Sequence, residues 1–231
     1  MPKKTRSVAA QNEQPTEIMV ERIVAYISQR QKSLAVLVSL VLAMIMAVVL
    51  WYQHQAQQNV AAQNELFQAT YYFEVGNYEQ ALTGDESYAG FLHIIQDYGL
   101  TKAANLAHLY AGIAYMHQQN YTAAMHHLKK FKATDFLLQA RAWSLLGDAC
   151  CEEQAYDKAI NYYLKAANYK PNAYFTPTYL AKASWAHEAN KNYHAAWQCY
   201  QTIIDDYPKS PLYEEACKHA SRLAALYKNK S

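Results

Sequence analysis

The chain has 231 residues, 17% charged and 52% hydrophobic, with a formal net charge of +2. It is too apolar for a disordered chain and too nearly neutral to bind nucleic acid through its overall field. Six Gly and six Pro argue against a turn-dense β-sandwich or a glycine-rich nucleotide fold, so an all-α chain is expected, with 21 Tyr as its unusual letter.

Residues 1–14 show no apolar period and read as a disordered leader. Residues 15–32 are expected to form a short amphipathic helix, with Ile18, Met19, Val20, Ile23, Val24 and Ile27 toward one side. It either lies at a membrane interface or extends the helix that follows. Residues 33–52, SLAVLVSLVLAMIMAVVLWY, carry no charge, Gly or Pro. About 20 helical residues span about 30 Å, the thickness of a bilayer core. Trp51 and Tyr52 end the run as interface anchors do. A cleavable signal peptide has a shorter core and a small-x-small end, so an uncleaved anchor fits better.

Lys3, Lys4, Arg6, Arg22, Arg30 and Lys32 precede the span, and no Lys or Arg follows until Lys102. The positive-inside rule then places the N-terminus in the cytoplasm and the remainder across the membrane. The leader holds six of the 21 basic and three of the 19 acidic residues, which leaves the exported part nearly neutral. Residues 53–64, rich in Gln, Ala and Asn, are expected to continue the anchor as a helical rod.

Residues 143–171 set the organisation of the rest. Trp143, Leu146, Gly147, Ala159, Tyr163, Ala166 and Pro171 stand at the spacing W-x2-L-G, then A, aromatic, A and P. That pattern resembles the tetratricopeptide repeat, with one departure: Cys150 replaces the usual Tyr. Gly112, Tyr115, Ala124 and Leu128 occupy the same slots before it, and Ala196, Tyr200, Ile203 and Pro208 after it. A degenerate first repeat has Tyr72, Ala81, Phe91, Ile94 and Gly99, its second helix interrupted by Leu82–Ala89 around the turn signal Gly84-Asp85. The expectation is a superhelix of about four repeats over 65–210, closed by a capping helix and tail over 211–231.

Each slot has a physical reason. Gly147 and Ala159 let two helices cross closely, and Trp143 and Tyr163 fill the space between neighbours. Pro171 and Pro208 stop a helix, because Pro lacks the donor and clashes with the preceding turn. Asn120-Tyr121, Ala155-Tyr156 and Asn192-Tyr193 mark the turn inside each pair, the aromatic starting the second helix. Most of the tyrosine excess is then core.

No catalytic, cofactor or metal motif is found: no HExxH, P-loop, G-x-S-x-G or C-x-x-C. Adjacent His126 and His127 point about 100° apart on a helix and chelate poorly. Of the four cysteines only Cys199 and Cys217 are worth testing as a disulfide. The chain is read as a non-enzyme.

First helices of stacked repeats line the inner face. Those slots hold Leu109, Tyr110, Ile113 and Met116, then Arg141, Ser144, Asp148 and Glu152, then Lys182, Trp185 and Glu188. The basic set that grips a C-terminal carboxylate is missing. The expected surface is aromatic and apolar, suited to a helix or extended apolar segment of another protein. An equal alternative packs these residues on the rod or on a second copy.

The layout, with the segments FQATYYFEVGNYEQAL, GFLHIIQDYGLTKAANLAHLYAGIAY and ARAWSLLGDA, resembles the membrane-anchored tetratricopeptide-repeat proteins of bacteria related to the ancillary subunit of the Sec translocon, in their Bacteroidetes-type branch. The resemblance covers roughly residues 15–225. It implies a scaffold in the inner membrane whose periplasmic repeats hold translocon subunits or envelope chaperones, without catalytic residues or cofactors. Rival expectations are an envelope-assembly or cell-division coordinator and a mitochondrial-type import receptor, whose repeats would face the cytosol.

Overall fold

The computed structural model describes residues 19–25 and 31–228. The expected leader, 1–14, lies outside the described residues; of the expected amphipathic segment, 19–25 are helical. Among the described residues the chain is all-α, with a single isolated bridge between Gly84 and Ala89. The helices are α1 (Gln31–Glu74), α2 (Tyr78–Thr83), α3 (Phe91–Asp97), α4 (Lys102–His117), α5 (Tyr121–Lys130), α6 (Phe136–Glu152), α7 (Tyr156–Asn168), α8 (Thr176–Ala189), α9 (Tyr193–Asp206) and α10 (Tyr213–Lys228). They fall into two compact units that divide between His54 and Gln55.

The first unit holds the apolar part of α1. From Val36 to Tyr52 its large side chains are exposed, Leu37 at 60% and Met44 at 69% among them. It is the one helix among the described residues long and apolar enough to cross a membrane.

In the second unit each helix from α4 on packs against the next in chain order, with α4 also touching α6. The core is correspondingly a series of small clusters. Ala62, Leu66 and Ala69 of α1 pack with Leu82, Phe91, Ile94 and Ala107. Leu109, Leu128, Phe131, Ala142 and Leu146 form the next cluster, between α4, α5 and α6. Cys150, Ala159, Tyr163, Ala183 and Cys199 follow. Tyr179, Tyr200, Ile203, Ala216, Ala220 and Leu223 close the far end, where α10 covers α9 as a cap would.

Residues 53–64 are helical as expected, but the packed unit starts before residue 65. Ala62 is fully buried, and Asn59 Oδ1 accepts hydrogen bonds from the amides of Lys102 and Ala103 at the start of α4. An Asn that satisfies two orphan donors of another helix ties this stretch into the fold.

One turn geometry recurs. Gly76, Gln119, Gln154 and Lys191 all have positive φ, between 58° and 81°. After each, the next residue's amide donates five residues back: Asn77 to Tyr72 O, Asn120 to Tyr115 O, Ala155 to Cys150 O, and Asn192 to His187 O, at 2.8–2.9 Å. The positive-φ residue itself donates three back, Gln119 to Met116 O at 3.0 Å for example. This is the Schellman ending of a helix. The next helix begins at once, at Tyr78, Tyr121, Tyr156 and Tyr193, and in three cases the preceding Asn side chain caps it. Three of these turns, at Gln119, Gln154 and Lys191, are 35 and 37 residues apart.

The helix-pair contacts recur as well. A Cβ on Gly112 would lie 2.6 Å from Leu128 Cγ, and one on Gly147 would lie 2.5 Å from the Tyr163 ring. The matching position in the next pair is Ser184, fully buried, whose hydroxyl donates to Ala196 O at 2.8 Å. Pro171 and Pro208 stand just past the ends of α7 and α9. Leu82–Ala89 does interrupt its helix: Gly84 ends α2 with φ 78°, and Asp85 Oδ1 accepts from the amides of Ser87 and Tyr88.

Candidate functional site

The expected inner-face residues do not all share a surface. Leu109 is only 4% exposed and belongs to the core between α4, α5 and α6, so its reading as a surface residue is corrected. Its side chain meets Leu128 and Leu146 because α5 and α6 both pack on that side of α4. Tyr110 stacks on Phe91 with centroids 5.5 Å apart and meets Phe73 edge-on. Ile113 packs against the Leu109 cluster, and Met116 is half-buried. Arg141 is exposed on α6, where its charge acts on Tyr179. Glu188 is held by Arg222 of α10 at 2.6 Å.

Asp148, Lys182 and Trp185, by contrast, come together. With Cys151, Glu152 and Tyr163 they line a cavity of about 240 Å³. α6 supplies Asp148, Cys151 and Glu152; α7 supplies Tyr163; α8 supplies Lys182 and Trp185. The i, i+3, i+4 spacing on α6 puts its three residues on one side of the helix.

Two charged groups of the cavity are satisfied by each other. Lys182 Nζ donates to both Asp148 oxygens at 2.8 Å, with Ser144 Oγ at 3.4 Å. Tyr163 donates its hydroxyl to Asp148 Oδ1 at 2.7 Å. Burial, then the Asp148 charge, raises the Tyr163 phenol far above its ordinary range, so it stays a neutral donor. Burial also raises the Cys151 thiol, whose sulfur lies 3.5 Å from the Tyr163 hydroxyl. An uncharged thiol is a poor nucleophile.

At the rim the groups are open. Trp185 is 55% exposed, set edge-on to Tyr156 with centroids 6.4 Å apart. Glu152 is exposed, its hydrogen bond coming from the Tyr121 hydroxyl at 3.5 Å. The cavity therefore offers an aromatic face and a carboxylate over a neutralised ion pair.

Ala124, Leu146, Ala159, Tyr163, Ala166, Ala196 and Tyr200 are buried. Trp143 meets Tyr169 edge-on at 5.1 Å and carries Lys165 Nζ 4.3 Å over its ring. Tyr115 stacks on His127. Tyr163 fills its own pair against Gly147, shares a core cluster with Ala183 of α8, and reaches Asp148 with its hydroxyl.

The sequence reading missed Tyr163 and Cys151 as cavity residues. Their signal was present only in part, since a packing tyrosine shows its hydroxyl's direction only once α8 is in place. It also missed a pairing of His127 with His108, their Nδ1 atoms 3.0 Å apart. All four cysteines, Cys199 and Cys217 included, are free. Burial pushes the Cys199 thiol up to about 11. Among the described residues no group of three or more metal-ligating side chains converges.

No known family model matches the chain, and no curated protein matches it.

Proposed function

We propose that the chain is a single-pass, membrane-anchored tetratricopeptide-repeat scaffold that binds other proteins through the face opened by Asp148, Glu152, Lys182 and Trp185. One observation carries this reading. The same helix ending, with the same tyrosine restarting the chain, recurs at 35- and 37-residue intervals with a small residue at each helix crossing. Repeats of that length stack into arrays that serve as protein-binding surfaces. The apolar stretch of α1 supports the anchor, because such exposed side chains are stable in lipid and not in water. The basic leader supports a cytoplasmic N-terminus and a repeat domain beyond the inner membrane. The partners that fit this topology are translocon subunits or envelope chaperones.

A photo-reactive residue in place of Arg141, irradiated in intact membranes, tests the reading. Crosslinks to translocon subunits or envelope chaperones are expected. Crosslinks only to division or outer-membrane assembly proteins would replace the secretion role, and no crosslink to another protein would overturn the scaffold. An alkaline phosphatase fused after Ser231 should be active; an inactive, cytosolic fusion would reverse the orientation, as an import receptor requires.

Self-association is the second reading. Val60, Phe67 and Tyr71 of α1 are 53–77% exposed and recur at heptad spacing. A crosslinker at Phe67 should then join two copies.

A further inference from the structure

We infer that the cavity between α6, α7 and α8 receives the guanidinium of an arginine side chain presented by the bound protein, stacked on Trp185 and paired with Glu152. The inference rests on the protein-binding reading above and names what that face selects. Size comes first. A cavity of about 240 Å³ lies below the roughly 300–1,000 Å³ of small-molecule pockets and suits one inserted side chain.

Charge comes second. The cavity holds two carboxylates and one ammonium. Lys182 donates to both Asp148 oxygens and, at 3.4 Å, to Ser144 Oγ, and Asp148 also receives the Tyr163 hydroxyl. The ammonium therefore has no donor directed at a ligand anion, and the Asp148 charge is already balanced. The remaining charge is Glu152 at the rim, with one long bond from Tyr121. Cys151 adds none, because burial holds its thiol protonated. The net field at the rim is negative and favours a cation.

Shape comes third. Trp185 presents more than half of its surface, and an indole face is the strongest aromatic partner for a cation. A guanidinium is planar, weakly hydrated and forked, so it can stack on the indole while donating to a carboxylate beside it. An ammonium can make one of those contacts well, not both.

The test uses the full chain in nanodiscs and three labelled probes read by fluorescence anisotropy. These are acetyl-Gly-Ala-Arg-Ala-Gly-amide and the same peptide with citrulline or lysine at the centre. Citrulline keeps the shape and removes the charge. The arginine peptide should bind about tenfold tighter than the citrulline peptide and several-fold tighter than the lysine one. Glu152→Gln should remove most of the preference over citrulline. Trp185→Ala should abolish the preference over lysine. Both side chains are exposed, so neither variant should unfold the chain, and Glu153→Gln, which alters a neighbouring exposed carboxylate outside the cavity, should change nothing. Equal binding of arginine and citrulline peptides, or binding insensitive to Glu152→Gln, would overturn the inference. If the Arg141 crosslinks persist in that case, the scaffold reading stands and only the arginine specificity falls.

Discussion

Replacing Gly147 with alanine probes the helix crossing directly. The new Cβ would lie 2.5, 2.7 and 2.9 Å from Cε1, Cδ1 and Cζ of Tyr163. Carbon atoms pack best at about 3.5–4.0 Å, so the ring must retreat by about 1 Å. It has little freedom to do so. Tyr163 is 3% exposed, and its hydroxyl is tied to Asp148, which Lys182 holds from α8. Overpacking of this kind costs about 1–3 kcal/mol. Alanine in place of glycine inside a helix returns up to about 1 kcal/mol. The expected net loss is about 1 kcal/mol, a Tm lower by about 2–4 °C for a domain of this size. Circular dichroism melts of the full chain in detergent measure it. In a Tyr163→Ala background the obstruction is gone, and the same Gly147→Ala change should stabilise by up to about 1 kcal/mol. A higher Tm for Gly147→Ala in the wild-type background would show that the ring has room, and the account of this crossing would fail.

Three further outcomes are expected. Gln154→Gly should stabilise the chain by about 0.5–1 kcal/mol in urea unfolding, because Gln154 sits at φ 58° in a turn that suits glycine; a loss would mean its side chain does more than tolerate the turn. Asp135 Oδ1 accepts from the amides of Leu137 and Leu138 at the start of α6, so Asp135→Ala should cost about 1 kcal/mol, with asparagine restoring most of it. His108 and His127 are pushed from 6.5 down to about 4, first by burial and then by neighbouring positive charge, from Lys130 and His126 on His108 and from His108, His126 and Lys130 on His127. The unfolded chain takes up those protons first, so stability should be full above pH 6.5 and fall progressively as pH drops toward 4. His127→Phe should flatten that fall in urea midpoints measured at pH 7 and pH 5; an unchanged slope would place the titration elsewhere.

Local chemistry carried much of the fold into the sequence. A run of 20 residues without charge, Gly or Pro favours a helix by local propensity and is apolar on every face, so α1 was legible without neighbours. Asn-Tyr at the turns and Pro171 and Pro208 past the helix ends act through caps and missing donors within a few residues, and the helices start and stop beside them. Gly147 and Ala159 were legible as packing positions for the same reason: close contact tolerates few side chains.

What pattern left undecided were directions set by a third helix. Leu109 reads as inner-face by register, yet α5 and α6 close over it, and no spacing within α4 records that. Tyr163 reads as filler, yet α8 brings Lys182 to the same carboxylate that its hydroxyl reaches. Asn59 reads as part of a free rod, yet α4 supplies the unpaired amides it caps. The sequence by itself determined where helices form and which faces are apolar, since those depend on neighbours within about one turn. Tertiary structure alone decided which side chains meet across α6, α7 and α8, because residues 34 positions apart, such as Asp148 and Lys182, are joined only by how the helices pack.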